Sequence, residues 1–468
     1  MRKFRPYDPN QTFEMPPTLR EWLPAGHLAL FISDVVDALS LEEIYRSYEN
    51  ADGRGQPPYH PAMMVKLLVY GYCIGVLSSR KIAKATETDI AFRVLAANQH
   101  PDHDTLAAFR QRHLKALANL FLQILKMCQK AGLVKLGNLA VDGSKVLANA
   151  SKHKAMSYER MEQAEKQLEA ELVALLTEAQ RRDEAEDTEF GKGHRGDALP
   201  KELERREKRL QVIRAAKAEL EAEAKVKAGE EARKAQEKRA EREKQEQETG
   251  TKRGGRPPQV KDPAQAKPEL KAQKNFTDPE SRIMKDGATK GFVQAYNAQA
   301  AVDSHAQIIV ATGVTQEAND KKQLVPMLLK VEQNTGSLPQ ASTADTGYFS
   351  TEAITDERLK SVNLLVPPDR QKQGEVLPET TGSAPEDASI IEQMRQKLRT
   401  TAGRDLYRQR KAIVEPVFGQ IKAARGVRRF SFRGLARVMA EWDIICMTHN
   451  LLKLFQSAWR PAPSAVCA

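Results

Sequence analysis

The chain has 468 residues and a mass of 52.3 kDa, room for about two to four domains. Its 41% hydrophobic content is enough for a buried core. The longest apolar run, Leu67–Leu77, falls far short of the ~20 residues of a membrane span, and no apolar stretch follows Met1–Asp8, so neither a membrane protein nor a secretory signal is expected. Ordinary Gly and Pro usage excludes collagen-like and low-complexity classes, and four scattered cysteines without a CxxC pair argue against a disulfide framework or a zinc knuckle. The net charge is +11 with a pI near 9.3, which points to a polyanionic partner if the charge is localised.

Residues 1–130 read as a helical domain. Pro61 opens an apolar helix, Ser78-Ser79 offer an N-cap for a second helix from Arg80 to about Thr86, and a third follows Asp102-His103-Asp104-Thr105. That third helix carries Arg110, Arg112, His113 and Lys115. Short helices with basic faces fit a helix-turn-helix-type DNA reader and fit a packing domain with a solvated basic face equally well. His103 between two aspartates mimics a metal cluster, but an N-cap before Thr105 explains it more simply.

Leu133–Leu147 is expected to hold a short apolar strand ending near Asp142-Gly143. Residues 151–250 are different: 23 basic and 25 acidic residues, with Tyr158 and Phe190 as their only aromatics. Met161, Leu168, Leu172 and Leu175, then Leu203, Leu210, Ile213 and Leu220, recur at helical steps on either side of Gly191, Gly193, Gly196 and Pro200. This predicts an antiparallel helical hairpin inserted into the domain, with no globular core of its own. Residues 251–271 read as a basic flexible linker.

Two strands flank a turn at Ser304-His305-Ala306, where Asp303 reads as a turn former. Asn319-Asp320 is expected to cap a helix bearing Leu324, Leu328 and Val331. A short strand ends at Asp345, a loop-rich stretch runs to about 390, and helices occupy 391–460. The fold class is therefore α/β: a mixed sheet with flanking helices, formed by 131–150 and 272–460 and interrupted by the insertion.

Asp142 and Asp345 each end a predicted strand beside a Gly, which lets the backbone turn away and leave the carboxylate at the sheet edge. Glu415 lies in the most basic region, since residues 401–468 hold 12 basic and 4 acidic groups. Carboxylates gathered together repel unless a cation joins them, and oxygen ligands of this kind suit Mg²⁺. Arg428, Arg429, Arg433 and Arg437 alternate with Phe430 and Phe432, so the cations can grip phosphates while the rings pack inward.

Val141-Asp142-Gly143-Ser144, Ala344-Asp345-Thr346-Gly347-Tyr348 and the run from Tyr407 through Arg410, Lys411 and Glu415 to Lys422 resemble the motifs of DDE transposases of bacterial insertion sequences. The branch is the one with a Tyr-Arg-Glu-Lys signature. Asn275–Met284 and Tyr59–Met64 are also similar to that family. The resemblance implies an RNase H-like catalytic domain in which Asp142, Asp345 and Glu415 hold Mg²⁺, with Mn²⁺ as a substitute. It implies cleavage at element ends and joining of the freed 3′ hydroxyl to target DNA. Lys422 would contact a phosphate near the cut, and Tyr407 with Arg410 or Lys411 the adjacent strand; the signature puts three residues between the cation and the acid, and here four separate Arg410 from Glu415 and three separate Lys411 from it, so either cation can fill the role. Arg425, Arg428, Arg429 and Arg433 would bind DNA. The expected partners are terminal inverted repeats and target DNA, bound by a homodimer, in a bacterial cytoplasm near the nucleoid. A nuclease that cuts without joining and an inactive DNA-binding regulator are the alternatives. Pro416 disfavours helix at Glu415, so the helix either starts there, kinks there or runs through.

Overall fold

The computed structural model describes residues 18–49, 57–190, 201–250, 259–260, 262–287, 291–370, 380, 385, 388–457 and 459–461. The chain divides into two compact units, one formed by residues 1–147 with 296–468 and the other by 148–295.

The first unit begins with helices α1 (Leu28–Asp37), α2 (Glu42–Glu49), α3 (Pro61–Ile74), α4 (Ser79–Thr88), α5 (Ile90–Leu95), α6 (His103–Arg112) and α7 (Leu114–Lys130). Helix α3 starts on its proline and ends at Gly75, whose φ of 81° is a left-handed cap. It is apolar on nearly every side because nearly every side is buried. Among the described residues no single helix is long and apolar enough to cross a membrane. Helix α4 is longer than the sequence suggests, and Ser78 occupies its N-cap without a side-chain bond. Asp102 caps α6 by accepting from Thr105 N at 2.7 Å, so the cap reading of Asp102-His103-Asp104 holds. Arg110 is a structural cation: it donates to Leu77 O at 3.0 Å and lies 5.0 Å over the Phe432 ring. His113 is buried against Tyr48 and Phe109.

Strand β1 (Asn138–Leu147) runs five residues beyond Asp142, further than the sequence predicts. The second unit then follows with β2 (Ala155–Ser157), α8 (Tyr158–Phe190), α9 (Lys201–Thr249), β3 (Gln273–Asn275) and β4 (Arg282–Lys285). Helices α8 and α9 pack against each other, and Met161, Leu168, Leu210, Ile213 and Leu220 are buried between them as the seam predicts. The hairpin does have a small core. Tyr158 joins that seam, with Met156, Ala272 and Phe276 packed against it. Arg214 bridges Glu165 and Glu169, and Lys217 bridges Glu165 at 3.0 Å, across the two helices. Leu203 and the break from Gly191 to Pro200 lie outside the described side chains, as do 251–258 and 261 of the expected linker. The rest of that stretch is tied down: a 3₁₀ turn at Pro263–Gln265 is followed by Leu270 and Ala272, whose carbonyls accept from Glu159 N and Tyr158 N.

The chain continues through β5 (Phe292–Asp303), whose first four residues pair with β4 in the second unit, and β6 (Ile309–Thr315). Then come α10 (Leu324–Thr335), β7 (Ala341–Ala344), α11 (Thr351–Ile354), β8 (Asn363–Leu365), α12 (Ile390–Arg399), α13 (Thr401–Gly419), a π turn at Gln420–Ala424, and α14 (Leu435–Gln456). The hairpin of β5 and β6 is antiparallel as predicted, and Asp303 anchors its turn by accepting from His305 N and Leu136 N. Strand β8 was not expected; three residues inside a loop-rich stretch carry no periodicity.

Within the first unit the strand order is β6-β5-β1-β7-β8. Strands β1, β7 and β8 are parallel, while β6 is antiparallel to β5. Helix α13 packs on β1, β7 and β8, and α14 on β6, α7 and α3. A mixed sheet with this order, an antiparallel hairpin on one side and parallel neighbours on the other, is RNase H-like.

Candidate active site

The β1–β7 ladder pairs Val141 with Ala344 and stops there. The next residues are Asp142 and Asp345, on parallel strands about 4.8 Å apart. Chain sections separated by 203 residues thus deliver two carboxylates to one spot where strands diverge, the crevice in which open α/β sheets hold ligands. Each carboxylate is tied to the backbone just after it: Asp142 Oδ1 accepts from Gly143 N on β1 at 2.8 Å and Asp345 Oδ1 from Gly347 N in the following turn at 2.9 Å.

Arg410 comes from the buried face of α13. Its Nη1 donates to Asp142 Oδ2 at 3.1 Å, and its guanidinium also bonds the Tyr407 phenol. Of the two cations that could fill the signature position, Arg410 stands beside the acids and Lys411 is exposed. One guanidinium does not neutralise the site. Burial, with Asp345 and Asp320 adding to it, outweighs Arg410 and the Gly143 amide and raises the Asp142 carboxyl to about 6. Burial raises Asp345 as well. Arg410 itself is disfavoured by burial, yet Asp142, Tyr407 and Asp345 hold it above its ordinary value. Burial carries both shifts, and Arg410, with Lys145 beside Asp345, only partly opposes them.

Helix α13 continues through Pro416 without a break. Proline supplies no N–H for the Ala412 carbonyl one turn earlier, and Gln307 Nε2 replaces it at 2.8 Å. Gly403, Arg410, Ile413, Val414, Val417 and Phe418 face inward, which leaves Arg408, Lys411 and Glu415 exposed. The structure therefore brings Asp142 and Asp345 together and keeps Glu415 on the outer side of the helix. Among the described residues no three His, Cys, Asp or Glu side chains stand close enough to share a metal ion.

The π turn after Gly419 redirects the backbone, so Lys422 leaves the outer face. Its Nζ donates to Ser144 Oγ at 2.6 Å and Lys145 O at 2.7 Å, just beyond Asp142 on β1. Arg425 corrects the sequence reading as a DNA contact. It is 5% exposed and donates to Thr448 Oγ1 at 2.6 Å, Ile445 O at 3.2 Å and Tyr72 O at 3.4 Å. Burial lowers its pKa to about 10. It is a strut between α3, the π turn and α14, and charge alone could not distinguish it from its neighbours. Arg428, Arg429 and Arg433 are exposed, while Phe430 and Phe432 are buried as the alternation predicts. This ribbon is fixed to β1 by Phe430 N to Leu147 O at 2.9 Å and Leu147 N to Arg428 O at 3.1 Å. The buried Glu441 carboxylate accepts from Ser431 N and Phe432 N.

The sequence missed one acid. Asp320 does not cap α10, whose N-cap is Gln323. Its Oδ1 instead accepts from Asn297 Nδ2 at 2.6 Å and Gln299 Nε2 at 2.7 Å, with Lys145 Nζ at 3.9 Å. Alternation in β5 marks Asn297 and Gln299 as sharing a face; their burial, at 0% exposure each, was the unread signal that they serve a polar partner.

Two family models match the chain: Transposase domain (DUF772) over residues 17–112 and Transposase DDE domain over residues 380–455. The first covers α1 to α6; the second covers α12, α13, the π turn and nearly all of α14, including Arg410, Glu415 and Lys422. No curated protein and no solved structure matches the chain. With a transposase domain at its N-terminal helices, a DDE domain on the helix that brings Arg410 to Asp142, and an RNase H-like sheet between them, the chain belongs to the DDE-type transposases of insertion elements.

Proposed function

We propose that this transposase nicks DNA at the ends of its element and joins the freed 3′ hydroxyl to target DNA at the Asp142/Asp345 site. The observation that carries the reading is the meeting of these two acids at the end of the β1–β7 ladder, with Arg410 bonded to Asp142. Both reactions are in-line displacements at phosphorus, so one site can serve both.

The donor set fits a hard divalent cation. Two partly buried carboxylates, both raised by burial, suit Mg²⁺ or Mn²⁺, which takes one or two carboxylates and completes its shell with water and substrate phosphate. Asp142 and Asp345 would hold it, with Glu415 as the third acid of the Tyr-Arg-Glu-Lys signature. When bound, such ions lower the pKa of the attacking water or hydroxyl and stabilise the leaving oxygen. Arg410 orients Asp142 and partly offsets the negative charge before DNA arrives. Lys422, anchored on β1 through Ser144, offers its ammonium to a phosphate beside the cut, and Tyr407 borders the adjacent strand. Arg428, Arg429 and Arg433 extend the phosphate track. Two ends must be handled together, so a homodimer on DNA, in a bacterial cytoplasm near the nucleoid, completes the reading.

The test is incubation of the protein with inverted-repeat duplexes, target DNA and Mg²⁺. Nicked and joined products are expected from the wild type. Asp142→Asn, Asp345→Asn and Glu415→Gln are expected to abolish both while binding duplex normally. Nicks without joined products would assign a nuclease. A variant that cuts at the wild-type rate removes its residue from the site, and for the exposed Glu415 that result is the most informative.

A further inference from the structure

Resting on that reading of the site, we infer that Asp320 is its positioning residue: its carboxylate buttresses the two glycines, Gly143 on β1 and Gly347 in the turn after β7, that follow Asp142 and Asp345. Asp320 lies in the connection between β6 and α10, outside every motif of the signature. Its carboxylate nevertheless reaches both glycines. A Cβ on Gly143 would stand 3.0 Å from Asp320 Oδ1 and would overlap Gln299 Nε2. A Cβ on Gly347 would stand 3.6 Å from Asp320 Oδ2. One carboxylate is thus wedged against the residue after the first acid and the second residue after the other. Those same glycines donate the N–H bonds that fix the two catalytic carboxylates.

The wedge is itself held. Asn297 Nδ2 and Gln299 Nε2 both donate to Asp320 Oδ1. Gln299 is locked at its other end, since its Oε1 accepts from the buried Tyr348 hydroxyl and its backbone carbonyl accepts from Trp442 Nε1 at 2.9 Å. Tyr348 directly follows Gly347, so the chain of contacts closes on the turn it supports. The Asp320 backbone is fixed by Gln323 N to Asp320 O at 2.9 Å. Both amides reach one oxygen, which an asparagine in place of Asp320 can also present. An alanine presents none, takes the acceptor from Gln299 Nε2, leaves Asn297 Nδ2 with the Glu317 carbonyl, and opens space under both glycines.

The experiment compares Asp320→Ala and Asp320→Asn in the full-length protein. Single-turnover cleavage of an inverted-repeat duplex should fall about 100-fold in D320A, the size expected of a small misplacement of reacting groups, and stay within about tenfold of wild type in D320N. Duplex affinity in chelator should change by less than about twofold in both. Hydrogen exchange of metal-free protein should show the Gly143 and Gly347 amides exchanging at least about tenfold faster in D320A and unchanged in D320N. Wild-type cleavage or unchanged protection in D320A overturns the inference. So does a D320N protein that is folded, fully protected at both glycines and inactive, because it would make the charge itself catalytic; that arm decides the matter even if D320A fails to fold. If D142N and D345N cut normally, the site reading fails instead, and the exchange measurement still judges the buttress.

Discussion

The ionisation of Asp142 makes the site costly to the protein that carries it, and that cost is measurable. Folding raises this carboxyl from 3.8 to about 6, mainly through burial. An acid raised on folding favours the folded state only while protonated. Its contribution is complete below pH 3.8 and is lost as pH climbs through 6. Each factor of ten in proton affinity is worth about 1.4 kcal/mol, so ionised Asp142 lowers the stability of metal-free protein by on the order of 2–3 kcal/mol at pH 7.5 relative to acid. Asp142→Asn removes that loss. The Arg410 ion pair that the variant lacks forms in the wild type only as Asp142 ionises, and it is already counted in the folded value of about 6, so it adds no separate pH dependence to the comparison. Urea unfolding in chelator at intervals from pH 4.5 to 7.5 should show D142N gaining on the wild type by about 2 kcal/mol over that range. A gap that stays constant, or that moves in favour of the wild type as pH rises, would refute the account of Asp142 as an acid held against its preference.

Three further outcomes are expected. Arg425→Ala should destabilise the protein by about 3–5 kcal/mol in urea unfolding, because it leaves a cavity and takes donors from Tyr72, Ile445 and Thr448, while duplex affinity per folded molecule stays within about twofold; a stable variant with weak DNA binding would restore Arg425 as a contact. Arg428→Ala with Arg429→Ala should weaken inverted-repeat and random duplexes alike and flatten the logarithmic salt slope by about 0.9 per lost contact; a loss confined to the repeat would mean that these arginines read bases. Replacing residues 169–209 by a short Gly/Ser turn should leave a folded protein, since Met161, Leu168, Leu210, Ile213 and Leu220 and the ends of β2 and β3 remain; loss of cooperative unfolding by circular dichroism would show that the outer hairpin carries stability.

Local signals in the sequence were enough for the elements that depend on near neighbours. Pro61 and Asp102 start helices where their side chains say they should, the hairpin seam follows its helical spacing, and Phe430 and Phe432 turn inward between exposed arginines. The end of β7 before Asp345-Thr-Gly was legible too, because that turn is written in consecutive residues, whereas Asp142-Gly143 does not end β1, which runs on to Leu147. What the sequence left open depends on partners far along the chain. Pro416 does not break α13 because Gln307, more than a hundred residues away, satisfies the Ala412 carbonyl. Arg425 and Arg428 look alike in a basic run, and only the packing of α14 against α3 decides that one is a buried strut and the other faces solvent. Asp320 resembles a helix cap until β5 brings Asn297 and Gln299 to its carboxylate. Backbone preference is set within a few residues and can be read in order along the chain. The neighbours that satisfy a buried charge or carbonyl are chosen by the sheet and the helices laid on it, and those exist only once the whole unit has folded.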